Sequence, residues 1–139
     1  VAQTWDWTLD RFPAAPCLEL PLAPLVSVAS VAYTDTAGDA QVWGAANYQV
    51  DTKATPGRLA PAYGVAWPST RAQTLGAVTI QFTAGWADAA SVPNDIKQGL
   101  LMMVGAWHSE REGVHLNTVF RQLDTARHLL LNYRIGGFA

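Results

Sequence analysis

The residues best suited to chemistry lie in one short stretch late in the chain. His108 and Glu112 are four positions apart, so on a helix they would share one face and could bind a metal ion or exchange a proton. His115 follows three residues later, but the stretch lacks the H-E-x-x-H spacing that places two imidazole rings beside one general base. A solvent-exposed helix end with ordinary charged neighbours at i and i+4 explains the same residues. We favour that interpretation over a metal-dependent hydrolase.

Other groups that commonly carry chemistry are no better placed. Cys17 is the single cysteine, lies among prolines and has no histidine near it in sequence, which favours an incidental thiol. The histidines follow residue 107 and most aspartates precede it, which leaves a Ser-His-Asp triad open, but no G-x-S-x-G motif supports one. Gly136 and Gly137 follow a helical stretch instead of preceding one, so they do not form a phosphate-binding loop. The sequence therefore predicts no catalytic, metal-binding or cofactor-binding residues.

The bulk composition points to contacts with other proteins. The 139 residues suggest one domain, and half of them are hydrophobic while only 14% are charged, a low share for an isolated soluble monomer. Six tryptophans add to this, because Trp is enriched at protein–protein interfaces. The net charge of −2 argues against nucleic-acid binding as the main activity. No apolar run approaches the ~20 residues of a membrane span, and one cysteine makes a reducing cytoplasm the default compartment.

The first 92 residues show the alternation of apolar and polar positions that is typical of β-strands. A change of step between Val28 and Val31 predicts a bulge, and the turn residues 34–39 predict a hairpin. Residues 61–75 predict a long loop with aromatic anchors, a kind of segment that is often functional. We predict strands at 4–12, 18–22, 25–33, 40–43, 48–51, 58–60 and 77–83.

The clearest element is a long central helix beginning at Pro93, whose missing N–H suits the first helical position. Apolar residues at helical spacing form one stripe, and two more widen it until the middle of the helix is apolar almost all round. We expect such a helix to be buried on more than one side, in a core or between subunits. The stripe comprises Ile96, Leu100, Met103, Val104 and Trp107, and the residues that widen it are Leu101 and Met102.

A shorter C-terminal helix is predicted over residues 119–134, with a break at 123–124 where Asp124 could cap a fresh start. The predicted fold class is therefore α+β, with antiparallel strands and hairpins followed by a long central helix and a shorter C-terminal helix. We treat residues 1–139 as a single domain. It is mainly β over residues 1–92 and mainly α over residues 93–139.

The order of short motifs along the chain is more informative than any one of them. In sequence they are Q-T-W-D-W at 3–7, L-P-L at 20–22, P-L-V-S-V at 24–28, V-A-Y-T-D at 31–35, Y-Q-V-D at 48–51, R-L-A-P-A-Y-G at 58–64, W-P at 67–68, V-T-I-Q-F-T-A-G-W at 78–86, V-P at 92–93 and I-K-Q at 96–98. In this order and spacing the chain resembles the head–tail connector (adaptor) proteins of long-tailed bacteriophages and related gene transfer agents. The resemblance covers nearly the whole chain.

The resemblance implies a structural protein of the virion and no enzyme. Members of that family form a ring beneath the portal at the capsid vertex. The ring continues the DNA channel, through which DNA passes without sequence-specific binding, and presents a platform to the tail-side stopper or tail terminator protein. The implied location is the neck of the virion, after assembly in the cytoplasm of a bacterial host.

Two departures from the family pattern are visible. Family members usually begin with a pair of helices before the Gln3–Asp6 motif, and this chain starts almost at that motif. Whether those helices are absent, removed or not included in this sequence stays open. At the other end, the family's L-L-x-x-Y-R element is matched only through Leu130-Leu131 and Tyr133-Arg134.

The ring hypothesis leads to two sets of expected contact residues. After Gly113 the chain is mildly basic, because Asp124 is its one acid. A solvated surface explains this charge, and contact with an acidic partner or with the DNA backbone is the more specific alternative. We expect contact with the portal at Arg121, Arg127, Arg134, Gly136, Gly137 and Phe138. We expect contact with neighbouring subunits or tail-side proteins at Tyr63, Trp67, Leu101 and Met102.

The alternative hypothesis is a small β-rich module that binds a small ligand or carbohydrate. It rests on aromatic side chains in loops, which would line a groove if they were exposed. These residues are Trp43, Tyr63, Trp67 and Trp86.

Overall fold

The computed structural model of the protein describes residues 1–110, 116–131 and 133, with side chains at 1–108, 124–131 and 133. Two compact units are present: one comprises residues 1–87, and the other begins at Asp88. All strands lie in the first unit and both helices lie in the second. In chain order the elements are β1 (Gln3–Leu9), β2 (Leu18–Glu19), β3 (Leu25–Thr34), β4 (Ala40–Val42), a 3-10 turn (Ala45–Asn47), β5 (Tyr48–Asp51), β6 (Arg58–Pro61), β7 (Val78–Ala84), α1 (Asn94–Glu110) and α2 (Leu116–Leu131). The predicted α+β class is confirmed, and the single domain stays a prediction.

The larger sheet is antiparallel and has the strand order β1-β7-β3-β4. Its central strand β7 is paired on both sides, and its residues alternate between fully and partly buried along the whole strand. The sequence shows the same alternation, because Val78, Ile80 and Phe82 point to the core while the threonines and Gln81 point away. β1 ends at Leu9 and not at residue 12 as predicted, because its pairing ends where Leu9 meets Val78, the first residue of β7.

The predicted irregularity in β3 is confirmed. The pairing of β3 with β7 shifts register between Val28 and Ser30, and a second shift lies between Leu25 and Ser27. An extra residue in one strand of an antiparallel pair bends that strand and increases its twist. The hairpin predicted at residues 34–39 is also present, since β3 and β4 pair from Ala32 to Thr34.

A smaller antiparallel sheet with the order β2-β6-β5 completes this unit. Leu59 in β6 and Leu20 beside β2 are fully buried, and they belong to the same hydrophobic cluster as Val31, Ile80 and Phe82 of the larger sheet. The two sheets therefore share one core. The long connection from β6 to β7 runs over residues 62–77, as expected for the predicted loop.

Gly57 marks the closest approach between the segment preceding β6 and the larger sheet. A Cβ placed on this buried glycine would lie 2.5 Å from both Cβ and Cδ2 of Leu25 in β3. Cβ belongs to the start of the side chain and cannot swing away, so a methyl group has no room there. The carbonyl oxygen of Gly57 also accepts a hydrogen bond from the N–H of Leu20 at 2.8 Å, which ties β2 to this position.

We expect Gly57→Ala to lower the free energy of unfolding by about 1–3 kcal/mol, because the added methyl overpacks a filled core. Gly44→Ala is the matched control, since Gly44 has φ −60° and a Cβ there would meet one side-chain atom at 3.6 Å. Urea denaturation measures both. Leu25→Ala should lower the free energy of unfolding by less in the Gly57→Ala background than in the wild type, because truncating Leu25 removes the clash with the added methyl group. Equal costs in both backgrounds would contradict this account.

The second unit contains the helical hairpin α1–α2. The carbonyl of Pro93 accepts a hydrogen bond from the N–H of Lys97 at 3.3 Å, so α1 begins one residue later than predicted and Pro93 is its N-cap. α2 runs without interruption from Leu116 to Leu131, so the break predicted at 123–124 is wrong. The helix contains no Gly or Pro, and an Asp inside a helix costs only about 0.7 kcal/mol, too little to interrupt it.

Candidate functional site

The side of α1 that packs against α2 is built from small residues. Gly99 and Ala106 are buried, as is Ala126 of α2. A Cβ on Gly99 would lie 3.3 Å from Cγ of Leu130 and 3.5 Å from the carbonyl oxygen of Ala126, so the two helices approach closely at this point. Gly99 and Ala106 are seven positions apart and therefore share one face of the helix.

The opposite side of α1 is apolar and exposed. Leu100, Leu101, Val104 and Trp107 follow one another at i, i+1, i+4 and i+7, and their exposed fractions are 53%, 64%, 57% and 56%. We call these four residues the α1 ridge. Large side chains that are all more than half exposed on one face are typical of an interaction surface. Leu100, Val104 and Trp107 are therefore not buried within the chain, and their burial between subunits stays a prediction.

Hydrogen bonds lie just before α1 and between the first turn of α1 and the residue Tyr133 that follows α2. Tyr133, just after α2, donates from its hydroxyl to Oδ2 of Asp95 in the first turn of α1 at 3.4 Å. Loss of surrounding water, and then the Asp95 carboxylate, raise the pKa of Tyr133, so the phenol stays protonated as a donor. Before α1, Oδ1 of Asp88 accepts from the N–H of Ser91 at 2.7 Å and from its hydroxyl at 2.6 Å. These two bonds, the hydroxyl bond first, lower the pKa of Asp88.

The aromatic residues of the long loop belong mainly to the core of the β unit. Trp67 stacks on Phe12 with ring centroids 5.1 Å apart, contacts Trp43 at 5.3 Å and donates from its indole N–H to the carbonyl of Ala15 at 2.9 Å. Trp43 is buried, which is a correction to the ligand-binding hypothesis, because that hypothesis requires an exposed ring. Tyr63 is fully exposed and is the aromatic residue that this loop presents to solvent.

The remaining predicted site residues are scattered or lie outside the described part. Met102 is half-buried, whereas Leu101 belongs to the α1 ridge. Arg127 is exposed on α2, and Arg121 lies within α2 without a described side chain. The residues outside the described part are Arg134, Gly136, Gly137 and Phe138, together with Glu112 and His115 of the metal-site alternative that the sequence disfavours. His108 is exposed, and the described residues contain no group of three or more possible metal ligands.

One carboxylate organises the β3–β4 turn. Oδ1 of Asp35 accepts hydrogen bonds from the N–H groups of Ala37, Gly38 and Asp39 at 2.9–3.0 Å, and Oδ2 accepts from Nε2 of Gln41 at 2.9 Å. The Gln41 bond and then the backbone bonds hold the pKa of Asp35 below its ordinary value. A carboxyl whose pKa falls on folding stabilises the native state above its unfolded-state pKa, and this contribution is lost as the pH falls through the folded-state pKa.

We therefore expect Asp35→Asn to lower the thermal unfolding temperature at neutral pH, because the neutral amide accepts the same N–H groups more weakly. The difference in unfolding temperature between variant and wild type should narrow as the pH falls below about 4. There the unfolded-state carboxyl of Asp35 becomes protonated, and at lower pH the folded-state carboxyl follows. Asp39→Asn removes the same charge from the same turn and serves as the control. A gap that does not depend on pH would contradict this assignment. Thermal melts by circular dichroism across the acid range provide the measurement.

None of the helices in residues 94–110 and 116–131 is long and apolar enough to cross a membrane. No protein-family model matches the sequence, and no curated protein matches it. Solved structures do match, at low sequence identity but over nearly the whole chain.

A chain in the virion of a native gene transfer agent particle matches with a TM-score of 0.72 and 20% identity, covering 98% of this chain and 66% of that one. A chain from the neck of a native gene transfer agent particle, computed with C12 symmetry, gives 0.70 and 21%, covering 98% and 73%. One from the neck of an empty particle, computed with C6 symmetry, gives 0.60 and 22%, covering 99% and 58%. The chain thus spans about two thirds of the length of the chains it matches, and it has the fold of chains from gene transfer agent particles, including their necks.

Proposed function

We propose that this protein is a structural component of a virion neck that forms a ring beneath the portal, joins the head to the tail and continues the DNA channel. The observation that carries this proposal is the fold shared over 98% of the chain with chains from a gene transfer agent virion and its neck. The motif order along the sequence supports the same family. The role is structural and not enzymatic.

A ring of identical subunits needs two different patches on each subunit, because its interfaces join unlike surfaces head to tail. The α1 ridge supplies one such patch. The exposed Tyr63 in the long loop, followed two residues later by the partly exposed Val65, supplies an apolar surface in the β unit. We propose that these two surfaces make the subunit or tail-side contacts, with Leu101 and Tyr63 at their centres. Symmetric neck assemblies of the structural matches, computed with C12 and C6 symmetry, support a ring.

Contact with the portal is assigned to the basic C-terminal part of the chain. Arg127 is exposed on α2, and a guanidinium group suits acidic side chains of a partner protein. The other members of this proposed surface are Arg121, Arg134, Gly136, Gly137 and Phe138. DNA would pass through the channel without sequence-specific contacts, and the tail-side partner would be a stopper or tail terminator protein.

Native mass spectrometry and electron microscopy of the purified protein, alone and mixed with a candidate portal protein, test the proposal. We expect a closed ring or a defined complex with the portal. A chain that stays monomeric at all concentrations and never binds the portal would refute it. Because electron microscopy images the ring itself, it also separates a closed ring from an open filament.

A further inference from the structure

A second candidate binding site lies in the β unit, away from the α1 ridge. A cavity of about 580 Å³ opens between the end of β1 and the segment that precedes β7. Arg11 and Arg71 line it from these two sides, and Thr70 and Thr74 add hydroxyl groups. The cavity is formed by residues of the first unit alone.

The walls of this cavity are held by hydrogen bonds to both neighbouring strands. The N–H of Gly76 donates to Oδ1 of Asp10 at 2.8 Å, which ties the segment to the residue after β1. The N–H of Arg71 donates to the carbonyl of Thr34 at 3.1 Å, which ties it to the end of β3. Two anchors on adjacent parts of one sheet keep the spacing of the walls defined before any ligand binds.

The guanidinium group of Arg71 lies close to the β3–β4 turn. A Cβ on Gly38 would lie 2.6 Å from Nη1 of Arg71, so this group lies directly over the β3–β4 turn. Gly38 has φ +101°, a conformation that favours glycine, and the turn therefore leaves room for the arginine without strain. Arg71 is exposed, so its guanidinium group is accessible to a ligand in the cavity.

Among the side chains that the structure describes, no acid forms an ion pair with either guanidinium group. Within the described residues the recorded ion pair joins Arg58 and Asp51, and neither Arg11 nor Arg71 takes part in one. Asp10, the acid that lines the cavity, already accepts the N–H of Gly76. Two unpaired guanidinium groups with hydroxyl donors nearby favour an anion, and arginine suits the planar oxygens of a carboxylate or the oxygens of a phosphate.

Local charge and the rim of the cavity distinguish these two anions. Asp10 lines the cavity, and the turn beneath Arg71 carries Asp35 and Asp39, so an extended polyphosphate would meet several like charges. Leu75 lines the same cavity and is 87% exposed, which suits an apolar side chain next to an acidic one. We propose that this cavity binds a single glutamate or aspartate side chain, flanked by an apolar residue, of a partner protein.

The proposal is tested on the isolated chain, so it does not depend on ring formation. The probe is a fluorescein-labelled short peptide with one glutamate flanked by leucines, followed by fluorescence anisotropy, with a short DNA duplex as the second probe. We expect the peptide to bind in the millimolar to micromolar range, and Arg11→Gln/Arg71→Gln to weaken it by about tenfold or more. Lys53→Gln/Lys97→Gln removes the same net charge at positions that do not line the cavity and should change binding less than about twofold.

Each outcome decides the proposal. Loss of peptide binding in Arg11→Gln/Arg71→Gln alone supports it, and the single variants Arg11→Gln and Arg71→Gln give the same answer if the double variant folds poorly. No peptide binding by the wild type, or equal loss in both double variants, overturns it. Binding of the DNA duplex that depends on Arg11 and Arg71, without peptide binding, overturns it in favour of a phosphate ligand.

Discussion

The double substitution Leu101→Glu/Val104→Glu is expected to abolish assembly of the proposed ring while the subunit stays folded. Both side chains are more than half exposed, so the folded chain loses little buried apolar area when they are replaced. In a subunit interface the same positions would bury two carboxylates against apolar atoms, and each buried charge without a partner costs several kcal/mol. We expect the dissociation constant between subunits to rise about 100-fold or more, equivalent to about 2.8 kcal/mol.

His128→Glu is the matched control for this experiment. His128 is exposed on α2 and lies about 160° around that helix from Ala126 and Leu130, the two residues that approach Gly99 of α1. It adds a similar negative charge without placing it on the ridge. Analytical ultracentrifugation measures assembly, and circular dichroism checks the fold. Normal assembly of Leu101→Glu/Val104→Glu, or an equal loss in His128→Glu, would show that the ridge is not the interface.

The strand β7 was predictable because its side chains alternate regularly between the core side and the opposite side of the sheet. In β7 every second residue is fully buried, so a period of two appears directly in the residue types. The irregularity near Val28 was visible for the same reason, as a change of step in that period. The strand ends were less predictable, because β1 ends where its partner β7 begins and not where its own pattern fades.

The orientation of α1 could not be predicted from the period of its large apolar residues. That period identifies a helix but does not say which side its partner covers. The contact with α2 is made where Gly99 and Ala106 allow close approach, and the larger residues Leu100, Val104 and Trp107 remain exposed. The spacing of the small residues was the signal that could have located the contact.

The position of Trp67 in the long loop could not be predicted from its local sequence either. Trp67 lies in a stretch rich in turn residues, which favoured an exposed position, yet its ring stacks on Phe12 from more than fifty positions away. A contact over that distance depends on the tertiary fold and leaves no local pattern. The Arg11 and Arg71 cavity was missed for the same reason, because its two sides are brought together only by the pairing of β1 and β3 with β7.

We expect Phe82→Ala to lower the free energy of unfolding of the β unit by about 3–5 kcal/mol, since it removes a large buried side chain and leaves a cavity. Phe82 is fully buried at the middle of the central strand β7, where it pairs with Trp5 of β1 and with Val28 of β3. It belongs to the core that the two sheets share, so the cavity left by the substitution would be lined by apolar atoms and would not be filled by water. A loss of this size is a large part of the 5–15 kcal/mol that stabilises a typical domain.

Thr79→Ala tests whether the loss comes from core packing or from a general weakening of β7. Thr79 lies on the same strand but on the face opposite to Phe82, and it is only partly buried. Its replacement should cost about 1 kcal/mol or less, because it leaves no cavity in the core. Urea denaturation followed by tryptophan fluorescence measures both variants, since Trp43 and Trp67 contact the same core. If Phe82→Ala cost no more than Thr79→Ala, the shared core of the two sheets would not be the main source of stability, because the strand pairing alone would then account for it.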